Sequence, residues 1–141
     1  MTFTYTTEVL HLPFRDPFRI ARHEDAEASQ TVLTHLERDG ATGLGECFPV
    51  PYYGETVATT EAVLPLLAGA LDELGPLPAE RAPALVWLER AADLMADVLG
   101  NHGGAKMGLD TALHDMVGHA LGLPIWELIG TSDRLPPTDY S

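Results

Sequence analysis

Gly43-Leu44-Gly45-Glu46-Cys47-Phe48-Pro49, continued by Val50-Pro51-Tyr52-Tyr53-Gly54-Glu55-Thr56, decides the fold of this chain. Two glycines alternate with residues that suit a strand, and a Pro/Tyr/Gly turn then runs into a helix start. A strand ends here and delivers a loop to a fixed place. Just upstream, Asp39-Gly40 is a hairpin signal, because glycine tolerates the positive φ of a type I′ turn. Ser29 to Arg38 and Ala41 to Phe48 therefore read as paired strands. Thr2 to Leu12 alternates, with Phe3, Tyr5, Thr7, Val9 and His11 on one face, and reads as a first strand. Pro13 and Pro17 bracket Phe14-Arg15-Asp16, a segment that cannot continue a central ladder. From Phe18 to Ala28, where Arg22-His23-Glu24-Asp25 lies, no clean period holds, and the stretch reads as a long loop.

Downstream the period changes to that of helices. Thr56 or Thr59 is the candidate N-cap of the first, with Glu61 close behind and Val63, Leu64, Leu67, Ala70, Leu71 and Leu74 at helical spacing. Pro65 lies inside that pattern, so the helix is either kinked there or begins near Leu64. A second helix is expected from about Pro83 to Leu99, with Leu85, Leu88, Ala92, Met95 and Leu99 as its stripe, closed by Gly100 to Gly104. The third, about Ala105 to Leu121, has the clearest stripe: Leu109, Ala112, Leu113, Met116, Val117, Ala120 and Leu121. Gly108, Ala112 and Gly118 are small enough to admit another backbone. Gly122-Leu123-Pro124 breaks the chain before a short turn at Ile125 to Ile129, with Pro124 at its first helical position. The order of elements is α+β: a three-stranded antiparallel meander followed by a helical bundle.

Composition narrows the function. The 141 residues hold 8 Lys+Arg against 21 Asp+Glu, a formal charge of -13, which repels phosphate backbones and anionic membranes and argues against nucleic-acid binding. No apolar run approaches the roughly 18 residues of a membrane span. The first residues carry no signal-peptide pattern, and the single Cys47 excludes an internal disulfide, so a cytoplasmic setting is expected.

No residue set reads as catalytic. Asp110 and His114 share a helix face, with Asp115 and His119 nearby, but His119 stands five residues from His114, off that face, and ordinary ion pairs are expected. Cys47 beside Glu46 lacks the cation a reactive thiolate wants and reads as a small buried residue. Arg22 and His23 suit carboxylate recognition or stand as solvated loop charges. Tyr52 and Tyr53 either line a pocket or pack the loop on its own domain, with the balance toward packing. Glu46 and Glu55 can meet across the turn; one of them is expected to accept backbone or arginine hydrogen bonds that hold the loop.

Several stretches, in this order and spacing, resemble the enolase superfamily. They are Leu12-Pro13-Phe14 through Pro17-Phe18-Arg19, Gly43-Leu44-Gly45-Glu46, Pro49 to Glu55, Ala112-Leu113-His114-Asp115, Gly122 to Gly130 and Thr138-Asp139-Tyr140-Ser141. The likeness is to the N-terminal capping domain of the mandelate racemase/muconate lactonizing branch, most of all to dipeptide epimerases. It implies residues 1–130 as the cap and 131–141 as a linker and the start of the first barrel strand. It also implies two specificity loops, Ala21 to Asp25 and Val50 to Thr56, with Arg22, His23, Tyr52, Tyr53 and Ser141 as substrate-binding residues. His23 falls where some dipeptide epimerases carry an arginine that meets the substrate; Arg22 next door can take that role instead.

The implied reaction abstracts the proton α to a carboxylate, with Mg²⁺ and the acid–base lysines supplied by a (β/α) barrel. That barrel is the implied partner domain, a dipeptide or other small carboxylate the implied substrate, and a homo-oligomer a further expectation. A barrel needs roughly 200 residues or more, and Lys106 matches no family base, so these residues by themselves are expected to be inactive. A muconate cycloisomerase or o-succinylbenzoate synthase-like enzyme is the alternative on the same fold. A non-catalytic binding domain is the rival from another class.

Overall fold

A computed structural model describes residues 2–20 and 23–131, with the backbone alone at 17–20 and 23–27. Three strands, β1 (Thr4–Ile20), β2 (His23–Arg38) and β3 (Ala41–Cys47), form one antiparallel sheet in the order β1-β2-β3. The helices follow: α1 (Val57–Leu71), α2 (Arg81–Val98), α3 (Gly103–Leu121) and the short α4 (Ile125–Leu128). Asp39 (φ 54°) and Gly40 (φ 82°) make the β2–β3 turn with both residues left-handed, as the Asp-Gly pair requires.

The stretch from Phe18 to Ala28, expected as a loop, is instead largely strand: β1 and β2 run on to the pair Ile20↔His23. The prolines do not prevent this, because β1 is an edge strand and the register slips between Pro13 and Phe18 and again before Ile20. β3 pairs only with Val32–Arg38. Beyond Val32 the first two strands therefore continue as a ribbon of two. On β1 both faces are exposed from Thr6 to Asp16, apart from half-buried Leu10.

Helix α3 lies along β3, and the glycines explain how closely. A Cβ on Gly43 would meet the Ala112 carbonyl and stand 2.7 Å from the Met116 nitrogen. One on Gly45 would meet the Gly108 carbonyl, and one on Gly108 would strike the Cys47 sulfur. Glycine at alternate strand positions and at the facing helix turn brings the two backbones into contact. The core continues outward through Leu36, Leu64, Leu67, Leu71, Leu113 and Met116, all at most 1% exposed.

Each helix end has a cause. Thr56 caps α1 by accepting the Thr59 amide at 3.1 Å, while the Thr59 hydroxyl accepts the Thr56 amide at 2.8 Å, a reciprocal capping box. The helix begins at Val57 and runs through Pro65, so it does not start near Leu64. On α2 the buried face is Ala84, Trp87, Leu88, Ala91, Leu94 and Met95, rotated from the expected stripe; Ala92 is exposed. Trp87 lies on that buried face, its Nε1 donating to the Gly75 carbonyl at 3.1 Å. Gly103 and Gly104 open α3 rather than close α2. At its other end Gly122 (φ 65°) turns left-handed and donates to the His119 carbonyl at 3.2 Å. Leu123 donates to the Gly118 carbonyl at 2.9 Å, completing a Schellman ending. Pro124 stands at the N-cap of α4, one position before the expected one. Arg81 fastens that helix by donating from Nε to the carbonyls of Glu127 and Leu128.

Arg38 is the one buried cation among the described residues that lies in the core, at 3% exposure. Its Nη2 donates to the Leu74 carbonyl at 2.8 Å, and its guanidinium stands 4.6 Å from the Phe3 ring centre. Phe3 in turn donates its amide to Asp72 Oδ1 at 2.7 Å. The strand pair and the end of α1 are thereby tied at one corner.

Candidate functional site

The loop after β3 is a closed turn. Tyr53 and Gly54 donate backbone N–H to Val50 and Pro51, each at 2.9 Å, and Gly54 takes φ 78° to leave the 3-10 turn Pro51–Tyr53. Tyr52 and Tyr53 ride on its crown, 61% and 73% exposed, in an edge-to-face pair with centroids 5.2 Å apart. Both rings are largely exposed, where the sequence slightly favoured packing of the loop on its own domain. What packs down is Glu55, at 6% exposure. Its Oε2 accepts the Val50 amide at 3.3 Å and its Oε1 the Gly104 amide at 3.2 Å, in the first turn of α3. The expectation that one of the two glutamates accepts backbone hydrogen bonds holds for Glu55, while Glu46 is exposed on the outer sheet face. A cavity of about 520 Å³ opens beside this junction, walled among others by Phe48, Val50, Tyr53, Glu55, His102 and Met107.

Of the other residues expected to meet substrate, Arg22 and Ser141 lie outside the described residues. His23 is the first residue of β2, paired with Ile20 at the far end of the ribbon. The residues that sequence reasoning passed over are Gly104 and Phe48. A Cβ on Gly104 would stand 2.6 Å from the Phe48 carbonyl and 2.8 Å from Glu55 Oε2, so only glycine admits the carboxylate. The paired Gly103-Gly104 immediately before a helical stripe was the available signal.

The remaining clusters are structural. His114 pairs with Asp110 at 3.5 Å and His119 with Asp115 at 3.7 Å, each one helical turn apart. Asp115 also accepts the Leu44 amide at 2.9 Å and so covers a free edge group of β3. Among the described residues no three His, Cys, Asp or Glu side chains converge as a metal ion's ligands do.

Cys47 is buried between β3 and α3, its sulfur 3.4 Å from Thr34 Oγ1. Burial pushes its thiol up, the Thr34 hydrogen bond opposes that, and the Glu46 charge adds to it. A pKa raised in the folded state gives stability that is present below the unfolded value, about 8.5, and lost as pH rises through the folded one. Unfolding midpoints should accordingly fall above that pH in the native chain and not in Cys47→Ala, measured against matched buffers. Equal pH profiles would mean the thiol is not buried as described.

The model of the mandelate racemase/muconate lactonizing enzyme N-terminal domain matches residues 3–130. The L-Lys-D/L-Arg epimerase of Methylococcus capsulatus is 34% identical over 93% of this chain, and the L-Ala-D/L-Glu epimerase of Escherichia coli 32% over 89%. A mandelate racemase/muconate lactonizing family protein of Roseovarius nubinhibens, crystallised with magnesium, superposes with a TM-score of 0.76 at 29% identity over 96% of the chain. The chain belongs to the mandelate racemase/muconate lactonizing enzyme family and is its N-terminal domain, akin to that of dipeptide epimerases. It spans 33–35% of the length of these three relatives. No helix among the described residues is long and apolar enough to cross a membrane.

Proposed function

We propose that this domain is the lid of a magnesium-dependent dipeptide epimerase, closing over the open end of a C-terminal barrel. The observation that carries the reading is the pinned loop 50–55, which holds two tyrosine rings outward on a domain whose curated relatives are dipeptide epimerases. In this reading residues 1–130 are the lid and 131–141 lead into the first barrel strand, where Ser141 faces substrate. The barrel holds magnesium and the acid and base. The lid's work is to bind, to orient and to exclude water. Tyr52 and Tyr53 offer ring faces and hydroxyls to one end of a dipeptide. Arg22 and His23, in the first of the two specificity loops that the family likeness implies, meet its charged groups.

The test is exchange of the α-proton for deuterium in a panel of dipeptides in heavy water with magnesium, followed by NMR, using the protein together with its barrel. Exchange confined to dipeptides supports the reading; turnover of a lactone or of a succinylbenzoate precursor alone would replace it. Arg22→Ala with His23→Ala should shift the order of preferred dipeptides by about tenfold in kcat/KM, a change of about 1.4 kcal/mol in transition-state binding. An unchanged order would remove these two residues from recognition.

A further inference from the structure

Helix α3 begins without a cap of its own. His102 at its N-cap is left-handed (φ 53°, ψ 47°) and makes no side-chain cap hydrogen bond, and Asn101 before it is left-handed too (φ 59°). The acceptor that a capping side chain would supply comes from 49 residues away in sequence, Glu55 Oε1 on the Gly104 amide. The second oxygen of the same carboxylate holds the Val50 amide at the other end of the tyrosine turn. The turn is closed on itself by the Tyr53, Gly54 and Glu55 amides. The Glu55 carboxylate joins that turn to the start of α3. Thr56, the next residue, caps α1, so the joint is anchored to two helices at once.

We infer that Glu55 is a positioning residue for substrate recognition: it touches no substrate but sets where Tyr52 and Tyr53 stand over the dipeptide. This rests on the lid reading above. A loop displaced by an ångström loses contacts made equally in the ground and transition states, while the acid and base on the barrel are untouched. Loss of Glu55 should therefore raise KM and spare kcat. General unfolding does the reverse, since a smaller folded fraction lowers apparent kcat at constant KM.

Two variants test this in the protein with its barrel. Glu55→Gln replaces one acceptor with an amide that faces an N–H donor. Gly104→Ala leaves the carboxylate chemically intact but puts a methyl 2.8 Å from Oε2 and 2.6 Å from the Phe48 carbonyl, at the start of the same loop. Both should raise KM for the preferred dipeptide by about tenfold with kcat within about twofold. Variants with unchanged KM, or with kcat reduced at constant KM, overturn the inference while the lid reading stands. A wild-type protein that exchanges no dipeptide α-proton overturns the lid reading, and the inference with it.

Discussion

Gly45→Val is expected to cost about 4 kcal/mol, a large part of the 5–15 kcal/mol by which a domain of this size is stable. The Cβ of the new residue would lie against the Gly108 carbonyl and within 2.8 Å of the Ala112 nitrogen. Both partners are helix backbone, which has no rotamer to change. Either α3 lifts off β3 or the strand bends away, and each exposes the buried surface around Cys47 and Leu109. Chemical denaturation of the 141-residue chain measures the loss. Gly69→Ala is the control, because it sits inside α1 with nothing within 4 Å of the added atom. It should be neutral or stabilising by about 0.5–1 kcal/mol, the helix propensity gained. A loss under about 1 kcal/mol for Gly45→Val would mean the helix does not lie where described.

Leu113→Ala should cost about 2–5 kcal/mol. Leu113 is wholly buried in the cluster that also holds Leu64, Leu67 and Met116. The sheet on one side and α1 and α2 on the other leave little freedom to collapse into the space. Leu113→Met, which nearly conserves volume, should stay below about 1.5 kcal/mol. A neutral Leu113→Ala would reverse the orientation of α3.

Much of the fold was legible in the residues themselves. Asp39-Gly40 specified a hairpin because few residues accept two left-handed positions in succession. The α3 stripe specified a buried helix because its apolar residues recur at the helical period over more than three turns; only Ala120, near the end, fell on the solvent side. Gly43 and Gly45 marked a close approach without saying what approached. The ribbon was not legible. Prolines and charges argue against a central strand, and only the strand order shows that β1 is an edge where they are tolerated. The α2 face was legible in part: Leu88 and Met95 are buried as expected, while Leu85 and Ala92 fit the helical period as well as Ala84 and Ala91, which are the ones that pack.

For the candidate site the division is sharper. Sequence alone determined the sheet, the helices, the turn that carries Tyr52 and Tyr53, and the family likeness, because each depends on neighbours within a few residues or on a motif read in order. Only the tertiary structure decided that the tyrosines point out and that Glu55, not Glu46, is the anchor. Alternation along β3 and the turn after it leave both glutamates eligible. The choice falls to the Gly104 amide, at the start of a helix 49 residues further on, where the absence of a side chain leaves room for a carboxylate.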